Sequence, residues 1–254
     1  MAKIIAVTNQ KGGVGKTTTS INLAASLAKT KRRVLLIDMD PQGNATMGSG
    51  VSKNELDITV YQVLLGLQPI EKALHKTESG YELVPANSDL AGAEVELINL
   101  DRRERRLRAA LEPVAGQYDY VLIDCPPSLN LLTVNALVAS QAVLIPMQCE
   151  YFALEGLSSL VDTIARVREA LNPQLQIEGL LRTMYDPRNT LAQQVSAQLL
   201  EHFGDKVYRT VIPRNVRLAE APSFGVPALK FDRNSKGAQA YLALAGEMLN
   251  RTGA

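Results

Sequence analysis

The amino-acid sequence predicts an α/β fold, a mostly parallel twisted sheet with helices on both faces. Three observations carry this expectation. Strand-like and helix-like segments alternate along the whole chain, the pattern that builds a parallel sheet through helical crossovers. Several strand-like runs are apolar almost continuously, as befits strands buried on both faces. The longest helix-like segment carries Leu157, Leu160, Val161, Ile164, Val167 and Leu171 at the 3.6-residue period of a face packed on a sheet.

In chain order, the β-branched and Leu-rich runs predict strands over Lys3–Thr8, Arg33–Ile37, Tyr81–Pro85, Tyr118–Asp124, Ala142–Met147, Gln176–Thr183 and Lys206–Ile212. Between and after them, helices are expected over Lys16–Thr30, Thr59–Leu65, Leu90–Asn99, Asp101–Val114, Leu131–Ala139, Leu154–Leu171, Leu191–Phe203 and Lys236–Arg251. No internal repeat, low-complexity stretch or Pro/Gly/Ser linker interrupts the pattern, so residues 1–254 are expected to form a single domain. The composition, 46% hydrophobic and 21% charged, is that of an ordinary globular protein and excludes disordered and collagen-like chains. No run approaches the length of a membrane span, and the apolar start of the chain is too short for a signal peptide, so the cytosol is the expected compartment.

The two cysteines, Cys125 and Cys149, lie in apolar segments and are expected to be buried and reduced. His75 and His202 are too few for a His-based metal site and are expected on helix surfaces. Charge is unevenly distributed: residues 1–179 carry a net −3 and residues 180–254 a net +4. That basic final third is either an ordinary solvated surface or a face for an anionic polymer. The arginine-dense run Asp101–Arg108 could grip phosphates, but Glu104 and Arg108 form an i,i+4 pair and the run reads better as a solvated helix face.

The strongest chemical signal is Lys11-Gly-Gly-Val-Gly-Lys-Thr-Thr18, placed between an expected strand and an expected helix. That context is the one a phosphate-binding P-loop requires. Gly12, Gly13 and Gly15 allow successive backbone N–H groups, around Val14, to turn into one concavity at a helix N-terminus, where phosphate is held. Lys16 would reach the terminal phosphates, and the Thr17 hydroxyl, followed by Thr18, would hold Mg²⁺. The motif departs from the usual form because Lys11 stands at the first glycine position. A second lysine there suits charge developing on a transferred phosphoryl group in a partner's site, and so hints at a dimer. Asp38 and Asp40 close one apolar strand and Asp124 another, at the ends where α/β sites lie. Alone, each would read as a helix cap; together beside a P-loop they suit the Mg²⁺ shell and the orientation of a water.

These residues together resemble the deviant Walker A pattern of the ParA/Soj partitioning ATPases, within the wider ParA/MinD group. The likeness runs the whole length, through Thr8-Asn-Gln-Lys-Gly-Gly, Asp38-Met-Asp-Pro-Gln-Gly-Asn-Ala-Thr46, Asp124-Cys-Pro-Pro-Ser128, Gln148-Cys-Glu-Tyr151 and Ile212-Pro-Arg-Asn-Val-Arg-Leu-Ala-Glu-Ala-Pro222. The short N-terminus looks like the chromosomal rather than the longer plasmid type. The resemblance implies a Mg²⁺-dependent ATPase that closes into an ATP-sandwich homodimer. Lys11 would be the signature lysine crossing to the other subunit, with Gly12 at the subunit junction. Asp40 would orient the attacking water, with Asp38 supporting the metal and Asp124 as the Walker B acid. Pro213 and Asn215 would hold the adenine.

The resemblance further implies ATP-dependent, sequence-independent binding of double-stranded DNA on the nucleoid, through Arg188 and Arg217, with Lys230, Arg233 and Lys236 as weaker candidates. Each of these could instead be an ordinary surface residue or a local ion pair. All five lie in the basic final third. A ParB-like centromere-binding partner would stimulate hydrolysis. The alternative within the group is a MinD-like ATPase that cycles on membranes through a basic amphipathic C-terminal helix. Here the tail Ala238–Arg251 has only Glu247 and Arg251 as charges, so it is expected to pack on the core. An iron–sulfur ATPase would need cysteines on loops between subunits, which this chain lacks, and a small-molecule synthetase on the same fold is a further alternative.

Overall fold

A computed structural model describes residues 2–252. Seven strands form one sheet: β1 (Lys3–Val7), β2 (Val34–Asp38), β3 (His75–Lys76), β4 (Glu82–Val84), β5 (Tyr120–Asp124), β6 (Ala142–Met147) and β7 (Gln176–Arg182). Their order across the sheet is β3-β4-β2-β5-β1-β6-β7, parallel throughout except for the β3–β4 edge. The helices are α1 (Lys16–Lys29), α2 (Asn44–Gly48), α3 (Val60–Leu65), α4 (Leu90–Leu97), α5 (Arg106–Leu111), α6 (Leu131–Ala139), α7 (Ala153–Ala170), α8 (Thr190–Phe203), α9 (Val216–Glu220), α10 (Ala228–Phe231) and α11 (Lys236–Thr252).

Strand alternation builds two cores. Ala6, Leu35, Ile37, Val121, Ile123, Val143 and Ile145 point to one face, where α3 to α8 cover them. Ile5, Val7, Leu36, Leu122 and Leu144 point to the other, against α1, α11 and the short helices between α8 and α11. The α/β architecture expected from the sequence is therefore observed, with most element ends within two residues of expectation. Helix α3 begins where Thr59 and Gln62 form a reciprocal capping box. No helix among the described residues is long and apolar enough to cross a membrane.

Three expectations fail for identifiable reasons. Residues 206–212 do not form a strand; beside β7 they make one isolated bridge, at Val207, and a backbone hydrogen bond from the Ile212 N–H to the Arg182 carbonyl. Side chains take their backbone groups instead: the Arg182 guanidinium donates to the Tyr208 and Arg209 carbonyls, and the Glu247 carboxylate accepts from the N–H groups of Arg209 and Thr210. The expected helix over 101–114 breaks, because Arg102 sits in the left-handed region at φ 52°. Asn135 of α6 then takes both the Arg103 carbonyl and the Leu107 N–H, so that the α-helix starts only at Arg106. His75 lies on the edge strand β3 rather than on a helix, whereas His202 is an exposed residue of α8.

The C-terminal helix packs as expected. Ala238, Tyr241, Leu244, Ala245 and Met248 are buried against the α1 side of the sheet. The two charges of its 238–251 stretch turn inward to the 205–210 segment, Glu247 as described, and Arg251 by donating to the Asp205 and Val207 carbonyls and lying 4.1 Å over the Tyr208 ring, while Lys236 at its start is exposed. Among the described residues Lys236 is then the one cation this helix turns outward, which is short of the basic amphipathic face that a membrane surface calls for.

Candidate nucleotide site

Topology positions the site. From β1 the chain passes over β5 to β2, and from β5 it passes over β1 to β6. Connections that leave in opposite directions open a crevice beyond the strands' carboxyl ends. There the register sets Val7, Asp38 and Asp124 level with one another. A cavity of about 700 Å³ opens at this edge, lined by the glycine-rich loop, Asp40, the 126–130 turn, Thr183, Met184 and the 212–219 segment.

The loop between β1 and α1 turns through Gly13 (φ 74°) and Gly15 (φ 86°), conformations that side chains resist. A Cβ at Gly12 or Gly13 would meet nothing within 4 Å, so the concavity beside them is open. The loop is held from two sides: Asn9 accepts from the Lys11 N–H and donates to the Pro146 carbonyl, and Thr183 donates to the Val14 carbonyl at 2.7 Å. Those two residues were not singled out from the sequence; their partners lie 137 and 169 positions away along the chain.

Lys16 is the decisive group. It is only 7% exposed, yet among the described residues its ammonium has no carboxylate within ion-pair distance and donates to the Lys11 carbonyl alone, at 3.1 Å. Burial holds its pKa below the ordinary lysine value, against the fields of Asp124, Cys125 and Asp40. A buried cation on a neutral acceptor is a costly arrangement that an incoming anion corrects.

The acidic residues divide their work. Asp124 accepts from the Thr17 and Ser20 hydroxyls, both at 2.8 Å. Ser20 follows Thr17 by three residues and so shares its helix face. Asp38 is held on both oxygens: it accepts from the Thr46 N–H and hydroxyl and from the Asp40 N–H, and so fixes the turn that carries Asp40. Asp40 lines the cavity and accepts from the Gln42 N–H through Oδ1, while Oδ2 has no protein donor among the described residues. Burial raises the pKa of Asp124, and the neighbouring Asp38 charge raises it further; burial likewise raises Asp38. An all-oxygen set of a hydroxyl and crowded carboxylates suits a hard divalent cation such as Mg²⁺. Pro213 and Asn215 lie on the far wall, where Asn215 also caps α9.

The cationic candidates lie outside the cavity. Arg188 pairs with Asp186 at 2.8 Å. Arg217 pairs with Glu220 at 2.8 Å and Asp232 at 3.4 Å, with Phe231 beneath it. Lys230 pairs with Glu78. Arg233 and Lys236 are exposed and have no ion-pair partner among the described residues. Both cysteines are free and buried.

The family described as an AAA domain matches residues 2–177. The chain is 56% identical to the chromosome partitioning protein ParA of Myxococcus xanthus, over 99% of this chain and 89% of that one. It is 55% identical to the sporulation initiation inhibitor protein Soj of Bacillus subtilis, over 98% of each. The chain belongs to the ParA/Soj family of partitioning ATPases. Its P-loop ATPase fold also matches a Mycobacterium smegmatis structure described as cobyrinic acid a,c-diamide synthase with bound ADP and magnesium. That match has a TM-score of 0.88 and 40% identity over 100% of this chain and 96% of that one. In this family setting the lone buried ammonium of Lys16, the glycine loop and the Thr17–Asp124 pair form one constellation.

Proposed function

We propose that residues 1–254 act as one Mg²⁺-dependent ATPase unit whose ATP-bound homodimer binds double-stranded DNA without sequence preference and releases it on hydrolysis. The observation that carries this reading is Lys16, a buried cation in a glycine-lined cavity with no anion within ion-pair distance among the described residues. In it, ATP occupies the loop, Lys16 and the N–H groups of residues 12–18 hold its phosphates, and Pro213 and Asn215 bound the adenine. Bound magnesium neutralises phosphate charge. Thr17 and Asp124 would hold that ion, with Asp38 supporting them, and Asp40 would orient the attacking water. Lys11 crosses to the partner subunit's phosphates.

DNA binding is assigned to Arg188, Arg217, Lys230, Arg233 and Lys236. Exposed ion pairs such as those of Arg188 and Arg217 are weak and readily exchanged for phosphate. Helices α9, α10 and α11, which carry Arg217, Lys230 and Lys236, pack on one another, and Arg233 lies in the link between the last two. A ParB-like centromere-binding protein is assigned the stimulation of hydrolysis, and the protein is placed in the cytoplasm on the nucleoid. The greater identity to ParA and Soj than to the synthase favours partitioning over small-molecule synthesis.

Gly12→Val tests the dimer. Within one chain a Cβ at Gly12 meets nothing within 4 Å and the residue has no left-handed backbone to lose, so the variant should fold as the parent does, and calorimetric titration with ATP shows that the loop is still filled when association is read. It should remain monomeric with ATP and stay off DNA, as read by sedimentation and duplex binding. Dimers of normal affinity in the variant would contradict the sandwich arrangement.

A further inference from the structure

Lys11 is not idle in the single chain. Its ammonium lies 2.6 Å from the Glu150 carboxylate, with both side chains about half exposed at 44% and 50%. Glu150 belongs to the turn between β6 and α7, which is fixed by hydrogen bonds from the Glu150 N–H to the Gln148 carbonyl and from the Ala153 N–H to the Glu150 carbonyl. The other end of the contact is equally anchored. Asn9 receives the Lys11 N–H and donates to Pro146 on β6, so the P-loop and the β6 exit are tied together just where the two charges meet. A small cavity beside this turn is lined by Glu150, Asp186 and Arg214, the other charged groups on that wall.

A lysine engaged by a carboxylate of its own chain cannot also neutralise phosphates in a second chain. We infer that Glu150 is a positioning residue that holds Lys11 in cis and sets the threshold for ATP-driven closure of two copies. The inference rests on the proposed dimer and adds a competing anion within each subunit. In the free chain Glu150 retains Lys11. In the closed pair the partner's triphosphate, with its higher charge density, displaces Glu150. Because the contact is half exposed, its influence is modest and screened by salt.

The test is sedimentation of the parent, Glu150→Gln, Glu150→Asp, Lys11→Ala and the Lys11→Ala/Glu150→Gln double variant with a slowly hydrolysed ATP analogue and Mg²⁺, at low and high salt. Glu150→Gln should self-associate about two- to five-fold more tightly at low salt, the gain shrinking at high salt. Glu150→Asp should behave as the parent, and the monomer's ADP affinity should be the same in all Glu150 variants. In the Lys11→Ala background Glu150→Gln should change nothing. Unchanged or weaker association of Glu150→Gln, or an equal gain without Lys11, overturns the role of Glu150 while leaving the dimer intact. A parent that never associates with the analogue overturns the dimer and this inference together.

Discussion

Lys16→Ala is expected to abolish nucleotide binding while leaving the fold intact. The side chain is buried with one neutral acceptor, so removing it relieves a desolvation cost in the free protein instead of breaking an ion pair. Thermal unfolding without nucleotide should therefore occur at the parent's temperature or above it. With nucleotide the balance reverses, because each charge-assisted bond to phosphate contributes about 1.5–3 kcal/mol. Loss of two such bonds weakens ADP and ATP by about a hundredfold or more. Calorimetric titration checks this, and affinities within threefold of the parent would contradict the assignment of Lys16.

Asp40→Ala separates binding from chemistry. Asp40 reaches the cavity with no protein donor to Oδ2 among the described residues, while Oδ1 and its backbone N–H are tied to Gln42 and Asp38. A carboxylate held this way can orient a water without being needed for the phosphates. Its removal should slow ATP turnover by about 10²–10⁴-fold, the usual worth of a positioned acid or base. ATP binding should persist, so the variant should accumulate as an ATP-bound dimer on DNA that does not let go. Steady-state hydrolysis and duplex retention after dilution read both halves. Turnover within tenfold of the parent would remove Asp40 from the chemistry.

What was legible in the sequence is what is written locally. The glycine loop, the strands ending in Asp38 and Asp124 and the tail's apolar stripe are each contained in a short run, and each element stands where expected. Long-range side-chain contacts were not legible. Glu150 meets Lys11 across 139 positions, and Thr183 meets Val14 across 169. Glu78 meets Lys230 across 152. The lost strand at 206–212 has the same origin: its own residues are strand-like, but Arg182 and Glu247 claim its backbone from elsewhere in the chain. The aspartates also looked alike in sequence. Only the donors around them distinguish Asp38, held on both oxygens, from Asp40, whose Oδ2 has no protein donor among the described residues.

The central claim, that ATP switches DNA binding, is tested most directly by titrating an arbitrary DNA duplex in Mg²⁺ with ATP, with ADP and without nucleotide, across a salt series. Binding should occur only with ATP, and its logarithm should fall linearly with the logarithm of salt, by about 0.9 for each phosphate contacted. Arg217→Glu should lose affinity and flatten that slope while still dimerising. Binding that is equal in all three nucleotide states, or absent from all three while hydrolysis proceeds, would contradict the account.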